Sequence, residues 1–235
     1  MIEELVPYSE GSDRFDAWIA RPETPGPHPA VLVCHTWAGR NEFAEGRAKK
    51  LAELGYIAAA IDVYGIGQRG SDPASSQALM MPLIENPDIL RHRLEGAFEA
   101  VHTLEGVDPD RVAVIGYCFG GLCAILCARM GLDLRGAVSF HGLLKIGEEL
   151  EAKPRARILA LHGQDDPMVS PEDIGRFAEE MKRIDADWQL HAYPGAVHAF
   201  TNPAANDPDF GMAYHAEADQ RSWRTMRAFL EEVLA

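Results

Sequence analysis

The stretch "VAVIGYCFGGLCAI", residues 112–125, decides the fold. An apolar strand pattern runs through Gly116-Tyr117-Cys118-Phe119-Gly120 and leaves as a helix of small apolar residues. Glycines two before and two after Cys118 leave room for a strained backbone at the middle residue, so the strand turns into a helix with no loop between them. Such a turn lifts the Cys118 side chain above the sheet. It also seats the sulfur at a helix N-terminus, where the dipole favours thiolate. Gly121 adds room for the helix to pack on its strand. The bland alternative is a cysteine packed in a glycine-rich turn, and the rest of the chain has to separate the two.

Outward from this stretch, short apolar runs alternate with helical patterns. The strand readings are "AVLVCH" (30–35), "IAAAID" (57–62), "RVAVIGY" (111–117), "GAVSFH" (136–141), "RILALHG" (157–163) and "WQLHAY" (188–193). They are β-branched or alanine-rich and bounded by Gly, Pro or Asp. Helices are expected at 42–54 with Asn41 as cap, at 88–104 after which "VDPDR" breaks the chain, at 120–130, at 171–183 opening on "SPED", and at 217–233. Residues up to Ala20 fit two antiparallel edge strands. The pattern predicts one α/β domain over residues 1–235, a mostly parallel sheet with helices on both faces. Two long loops, 64–87 and 198–209, follow strand ends, where such sheets carry function. Only about fifteen residues separate "SFHG" from "RILALHG", too few for a separate lid domain, so an open site is expected.

Composition narrows the function. A formal charge of −14 argues against nucleic acid, polyphosphate or an anionic membrane as partner. The acidic N-terminus lacks the apolar core of a signal peptide, and no apolar run approaches membrane-spanning length. A cytoplasmic protein with reduced thiols is expected. The four cysteines form no disulfide framework: Cys123 and Cys127 fall on one buried helix face, and Cys34 ends a strand. No metal site is expected, because Cys and His residues lack ligand spacing. Oligomeric state is not encoded legibly, and a homodimer is compatible with the sequence.

A nucleophile at Cys118 needs a base and an acid that orients it. On α/β-hydrolase sheets these follow in the order nucleophile, acid, histidine. After Cys118, "RILALHG" runs into "QDDPMVSPED". Asp165 and Asp166 compete there. Asp166 is chosen, because Gly163-x-x-Asp166-x-x-Val169 gives the turn a glycine and returns the chain to the core at valine. "WQLHAY" then runs into "PGAVHAF", which places His198 on the loop beyond the last strand; His191 lies inside that strand and His215 nearer the last helix. In this reading His198 moves the proton, Asp166 holds the imidazole, and Cys118 forms a covalent acyl-enzyme. The backbone N–H groups of Phe119 and Trp37 would form the oxyanion hole. Thr36, Trp37, Phe200 and Asn202 are the candidate pocket residues.

From "AVLVCHTWAGRN" through "GYCFGG" and "HGQDDPMVS" to "YPGAVHAFTNP" and "RSWRTMRAFL", the chain resembles the dienelactone hydrolase family over nearly its whole length. The resemblance implies an α/β-hydrolase fold without a lid, a Cys118–His198–Asp166 triad and no cofactor. It implies a small-molecule ester or lactone as substrate. Two departures bear on the substrate. The family's type enzymes carry a glutamate near the nucleophile that takes part in activating the thiol; the aligned residue here is Thr36. They also hold the dienelactone carboxylate with arginines, one of them four residues after the histidine, where this chain has Asn202. Arg69, Arg91 and Arg93 are the substitutes considered. An uncharged or differently charged ester is therefore expected. Two other readings use the same thiol: attack on an activated neutral phosphotriester, or a non-enzymatic redox sensor built on the hydrolase fold.

Overall fold

In the computed structural model, which describes residues 1–144 and 153–235, eight strands form one sheet. They are β1 (Ile2–Glu10), β2 (Asp13–Arg21), β3 (His28–Cys34), β4 (Ile57–Ile61), β5 (Val107–Tyr117), β6 (Gly136–Phe140), β7 (Arg157–Gly163) and β8 (Trp188–Tyr193). Their order is β1-β2-β4-β3-β5-β6-β7-β8. β1 and β2 pair antiparallel, as do β2 and β4, while all pairs from β4 to β8 are parallel. Six helices accompany them: α1 (Glu42–Ala52), α2 (Pro73–Glu85), α3 (Pro87–His102), α4 (Phe119–Arg129), α5 (Pro171–Arg183) and α6 (Ala216–Val233).

The central strands read as unbroken apolar runs because both faces are covered. Along β3, Ala30, Leu32 and Cys34 join one core cluster and Val31 and Val33 the other. On β5 the same alternation sends Val112 and Val114 one way and Ala113, Ile115 and Tyr117 the other. The first face is roofed by Leu90 and Leu94 of α3, Leu122 and Leu126 of α4, and Phe177 and Met181 of α5. The second is roofed by Ala44 and Leu51 of α1 and by Met226, Phe229 and Leu230 of α6. Local signals set the helix starts. Asn41 accepts the Phe43 N–H at 3.1 Å, and Ser170 and Asp173 close a reciprocal capping box on α5. No described helix is long and apolar enough to cross a membrane.

Several expectations need correction. The segment 64–87 is not all loop: Pro73–Glu85 forms α2, capped by Asp72 and Ser75. Its opening "DPASSQ" has turn composition, and only Ser76 and Leu83 are buried, so the helix shows no amphipathic stripe. "VDPDR" does not precede β5 but lies within it, where the register against β3 slips between His28 and Ala30. The segment 198–209 is not all loop either: it runs into a small hairpin of β9 (Asn206–Asp207) and β10 (Met212–Ala213) around the 3₁₀ turn Pro208–Phe210. His35, Asp62 and His141 each fall one residue beyond the strand assigned to them. The expected lack of a lid concerns a connection that includes residues 145–152, outside the described residues.

One buried cation ties the second face to the loop after β8. Arg47 of α1 donates through Nη2 to the Thr201 carbonyl at 2.6 Å and to Asp219 of α6 at 2.9 Å. Its guanidinium lies 5.0–5.6 Å from the ring centres of Phe43, Tyr117 and Trp223. Removing it leaves a nearly buried carboxylate without its cation. Arg47→Ala should therefore lower unfolding free energy by about 3 kcal/mol, and Arg47→Lys by less, since an ammonium keeps the charge without the fork. Urea midpoints for the two variants check this; an Arg47→Ala shift within measurement error would show that the tie carries no stability.

Candidate active site

The turn between β5 and α4 holds Cys118 at φ 57° and ψ −117°, a conformation a residue with a β-carbon rarely adopts. Three features keep it there. The Cys118 N–H donates to the Phe140 carbonyl at 3.0 Å and is shared with His141 Nδ1 at 3.1 Å. A β-carbon on Gly116 would overlap the Gly120 carbonyl oxygen, and one on Gly120 would overlap the carbonyl oxygen of Cys34. Gly121 lies against Ser139 and Gly142, where a β-carbon would come within 2.7–2.8 Å. Each glycine answers a close approach, as the sequence required.

Asp166 follows β7, and His198 follows β8. His198 Nδ1 lies 2.8 Å from Asp166 Oδ2, with both side chains buried. A carboxylate only accepts, so Nδ1 carries the proton. The other oxygen, Oδ1, accepts the Met168 N–H at 2.9 Å. Asp165 serves a different purpose, since its Oδ2 accepts the Gly195 N–H at 3.0 Å and pins the Pro-Gly turn. The His198 backbone is clamped by Gly211 and Ala213 at 3.0 and 3.1 Å. Gly163 permits the two loops to meet, since a β-carbon there would lie 2.6 Å from the Ala196 carbonyl oxygen. His191 is exposed on β8, and His215 caps α6.

Among the described residues the outer ring nitrogen of His198, Nε2, completes no hydrogen bond of ordinary geometry, and His198 lines the same two chambers as Cys118. The two groups are coupled through charge. Burial disfavours the Cys118 thiolate, but the His198 charge and the N–H groups of Phe119 and Trp37 outweigh it and draw the thiol below its ordinary range. Burial likewise disfavours the imidazolium, yet the Cys118 charge and the Asp166 carboxylate push His198 up to about 10. Burial instead pushes the thiols of Cys34, Cys123 and Cys127 up. Only at residue 118 does the environment favour a charged sulfur.

Two further histidines, which the sequence left without a role, brace the site. His141, buried at φ 40°, accepts from Cys118 N on Nδ1, so Nε2–H points to Thr201 Oγ1 at 2.8 Å. Burial and the neighbouring His198 charge hold it neutral, its pKa well below the usual value. His35 accepts the Val63 N–H on Nε2 at 3.3 Å and directs Nδ1 to the Thr36 carbonyl at 2.6 Å. Burial lowers its pKa to about 4. It thereby anchors the loop that presents Trp37, whose carbonyl is held by the Tyr64 hydroxyl at 3.0 Å. The only sequence signal for either was a histidine at the end of a strand reading.

Cys118 and His198 sit between two chambers. One, about 290 Å³, lies under α2 and is walled by Met80, Met81, Ile84, Leu122 and Met168. The other, about 300 Å³, lies under the loop after His198 and is walled by Thr36, Asn202, Ala205 and Asp207. Trp37 and Met212 border both. Phe200 lines neither; it is fully buried with its ring on His141, 5.1 Å between centres. Among the described residues no lysine or arginine lines either chamber. Arg69 lies against Asp62, Arg91 against Asp88, and Arg93 against Asp13. Among the described residues no group of three His, Cys, Asp or Glu side chains could hold a metal ion.

Comparison with known proteins places this site in context. The profile of the dienelactone hydrolase family matches residues 15–234. The solved structure named m3DLH superposes with a TM-score of 0.95 at 35% identity, covering 100% of this chain and 99% of its own. A dienelactone hydrolase-like promiscuous phosphotriesterase, P91, from metagenomic libraries superposes at 0.91 with 33% identity and the same coverage. A Yersinia pestis protein named "Putative carboxymethylenebutenolidase" is 30% identical over 95% of this chain and 85% of its own length. Matched along nearly the whole of its length, this chain belongs to the dienelactone hydrolase family of ester and lactone hydrolases.

Proposed function

We propose that Cys118, His198 and Asp166 form a catalytic triad that hydrolyses small uncharged esters or lactones through an acyl-thioester. The observation that carries this reading is the buried 2.8 Å contact between Asp166 and His198, with His198 lining the same two chambers as Cys118. The thiol proton passes to Nε2, and the sulfur attacks the carbonyl carbon. The resulting oxyanion receives the N–H groups of Phe119 and Trp37, the same donors that favour the thiolate. As the tetrahedral species collapses, the C–O bond breaks and the imidazolium protonates the leaving alkoxide. Water, deprotonated by His198, then attacks the thioester. The C–S bond breaks, the acid is released, and the proton returns to sulfur.

The lining of the chambers selects the substrate. With no cationic side chain among the described residues at either wall and Asp207 on one, a carboxylate-bearing dienelactone has no partner. An uncharged ester meets no such obstacle. The second reading rests on the P91 neighbour: an activated neutral phosphotriester suits the same walls. There an S–P bond forms as the aryl oxide leaves, and water later cleaves it.

With p-nitrophenyl acetate, the wild-type protein should give a nitrophenol burst followed by steady turnover. Cys118→Ala should remove both. Asp166→Asn should lower kcat by roughly 10²–10⁴-fold by allowing the wrong tautomer. Unchanged turnover in Cys118→Ala and Cys118→Ser would sink the assignment.

The pH profile follows from the coupling of sulfur and imidazole. Thiolate forms below the ordinary thiol value of about 8.5, so alkylation of Cys118 by iodoacetamide should begin at lower pH than in a free thiol. In His198→Gln, burial acts unopposed by the imidazolium and the midpoint should move upward. Ester turnover should fall as pH rises through about 10, where His198 loses the proton the leaving group needs. A midpoint unmoved by His198→Gln would remove the coupling.

For the second reading, release of nitrophenol from a nitrophenyl dialkyl phosphate, lost in Cys118→Ala, is the expected result; no release above buffer would discard it.

A further inference from the structure

The two chambers share Cys118, His198, Trp37 and Met212 and differ in the rest of their walls. The chamber under α2 is walled by Phe119 and Leu122 of the helix that follows the nucleophile and by methionines from α2 and the β7–α5 loop. Among its described lining residues, Gln77 is the one with a polar side chain besides Trp37 and the two reacting groups. The other chamber is made from the histidine's own loop: Ala199, Asn202, Ala204, Ala205, Asn206 and Asp207. A leaving oxygen has to lie against His198 Nε2 to be protonated, and the group attached to it continues over that loop. The acyl carbon is fixed on sulfur, between the Phe119 and Trp37 N–H groups, so its chain continues along α4 and beneath α2.

We infer that the enzyme is selective on both halves of its ester: an apolar acyl group of medium length in the chamber under α2, and an uncharged or cationic alcohol in the chamber bordered by Asp207. This rests on the acyl-thioester reading and adds to it the identity of the two halves. A chamber of about 290 Å³ is far larger than an acetyl group needs. Its methionines re-pack around differing shapes, so it tolerates branching and aromatic ends as well as straight chains. Leu143 and Phe210, both exposed, extend the apolar wall to the surface and form its entrance. In the other chamber Asp207 is, among the described residues, the only carboxylate on the wall, and its Oδ1 accepts the Phe210 N–H at 3.2 Å. An ammonium-bearing alcohol gains there, and a carboxylate-bearing one is repelled.

The test uses the full chain and two ester series. In the first, p-nitrophenyl esters run from acetate to octanoate with the leaving group constant. kcat/KM should rise from acetate to about hexanoate by roughly 100-fold, since each of the four added methylenes is taken from water into an apolar wall. In the second, hexanoate esters of small alcohols carry an ammonium, a neutral or a carboxylate end. The ammonium ester should be preferred to the carboxylate ester by roughly tenfold or more at low salt. Ile84→Trp, or Met168→Phe on another wall of the chamber, should move the acyl optimum towards acetate whichever alcohol is used. Both should slow deacylation, followed as decay of the acyl adduct on Cys118 by mass spectrometry. Asp207→Asn, which keeps the acceptor for Phe210, should compress the ammonium-to-carboxylate ratio without moving the acyl optimum or the deacylation rate.

A flat acyl profile, a carboxylate alcohol preferred over ammonium, or variants whose effects fall on the opposite half would overturn the assignment. Circular dichroism matching the wild type confirms that each variant is folded. Failure of the parent reading is recognised separately: no acyl adduct forms on Cys118, and Cys118→Ala turns over every ester as fast as wild type.

Discussion

Residue 120 has no space for a β-carbon: an atom there would run into the carbonyl oxygens of Cys34 and His35 at the end of β3. That contact is the constraint from which the site follows. Because α4 starts pressed against β3, the loop leaving β3 passes directly over the first turn of α4. The N–H of Trp37 from that loop and the N–H of Phe119 from the turn therefore both favour the charged form of the Cys118 sulfur. The strained backbone of Cys118 is part of the same packing, costing about 1–3 kcal/mol. Of the described non-glycine residues with positive φ, Cys118, His141 and Ala199 all lie at this point of the molecule. The strain is concentrated where the side chains have to be aimed.

For His35, His141 and His198, three of the four buried histidines, what each nitrogen faces decides its charge. His35 has a backbone donor on one side and a backbone acceptor on the other, and burial keeps it neutral. His141 accepts from the Cys118 N–H and faces a threonine hydroxyl, with its ring centre 5.2 Å from that of His198. A second imidazolium so close would work against the first. Only His198 faces a carboxylate on one edge and a thiol on the other. Burial alone would make all three neutral; the Asp166 carboxylate and the Cys118 sulfur reverse its effect at one. Arg47 reaches the same region through Thr201, whose carbonyl it holds and whose hydroxyl meets His141.

The sequence made the sheet legible because a strand covered on both faces has to be apolar throughout, and β3 to β7 read that way. That Cys118, Asp166 and His198 meet at one edge of the sheet was legible because their glycines, turns and order along the chain have local causes. α2 was not, because its apolar residues run together from Ala78 to Ile84, some packed on the core and some lining a chamber, which leaves no single helical stripe. Phe200 was expected to touch substrate and instead backs His141, since a residue two beyond the histidine turns inward once the loop folds over β8. His35 and His141 were hidden for a related reason. A buried histidine that props a loop and one that moves protons have the same letter, and only partners distant in the chain tell them apart.

The loop after β3 bears on how the thiol is activated. Thr36, in that loop, offers no carboxylate to the thiol. Its carbonyl is taken by His35 and Gly39, and its hydroxyl accepts weakly from Ala38. The stabilisation of a charged sulfur comes instead from His198 and two backbone N–H groups. A thiolate stabilised in this way loses some intrinsic nucleophilicity, because reactivity falls as the thiol pKa falls. In the proposed reaction that loss is limited. The negative charge moves only from sulfur to the neighbouring oxygen, and the same Phe119 and Trp37 donors follow it, so their contribution persists into the transition state. An uncharged ester matches this arrangement. It adds no second negative charge to a site whose wall carboxylate, Asp207, and whose surrounding chain of formal charge −14 already oppose one.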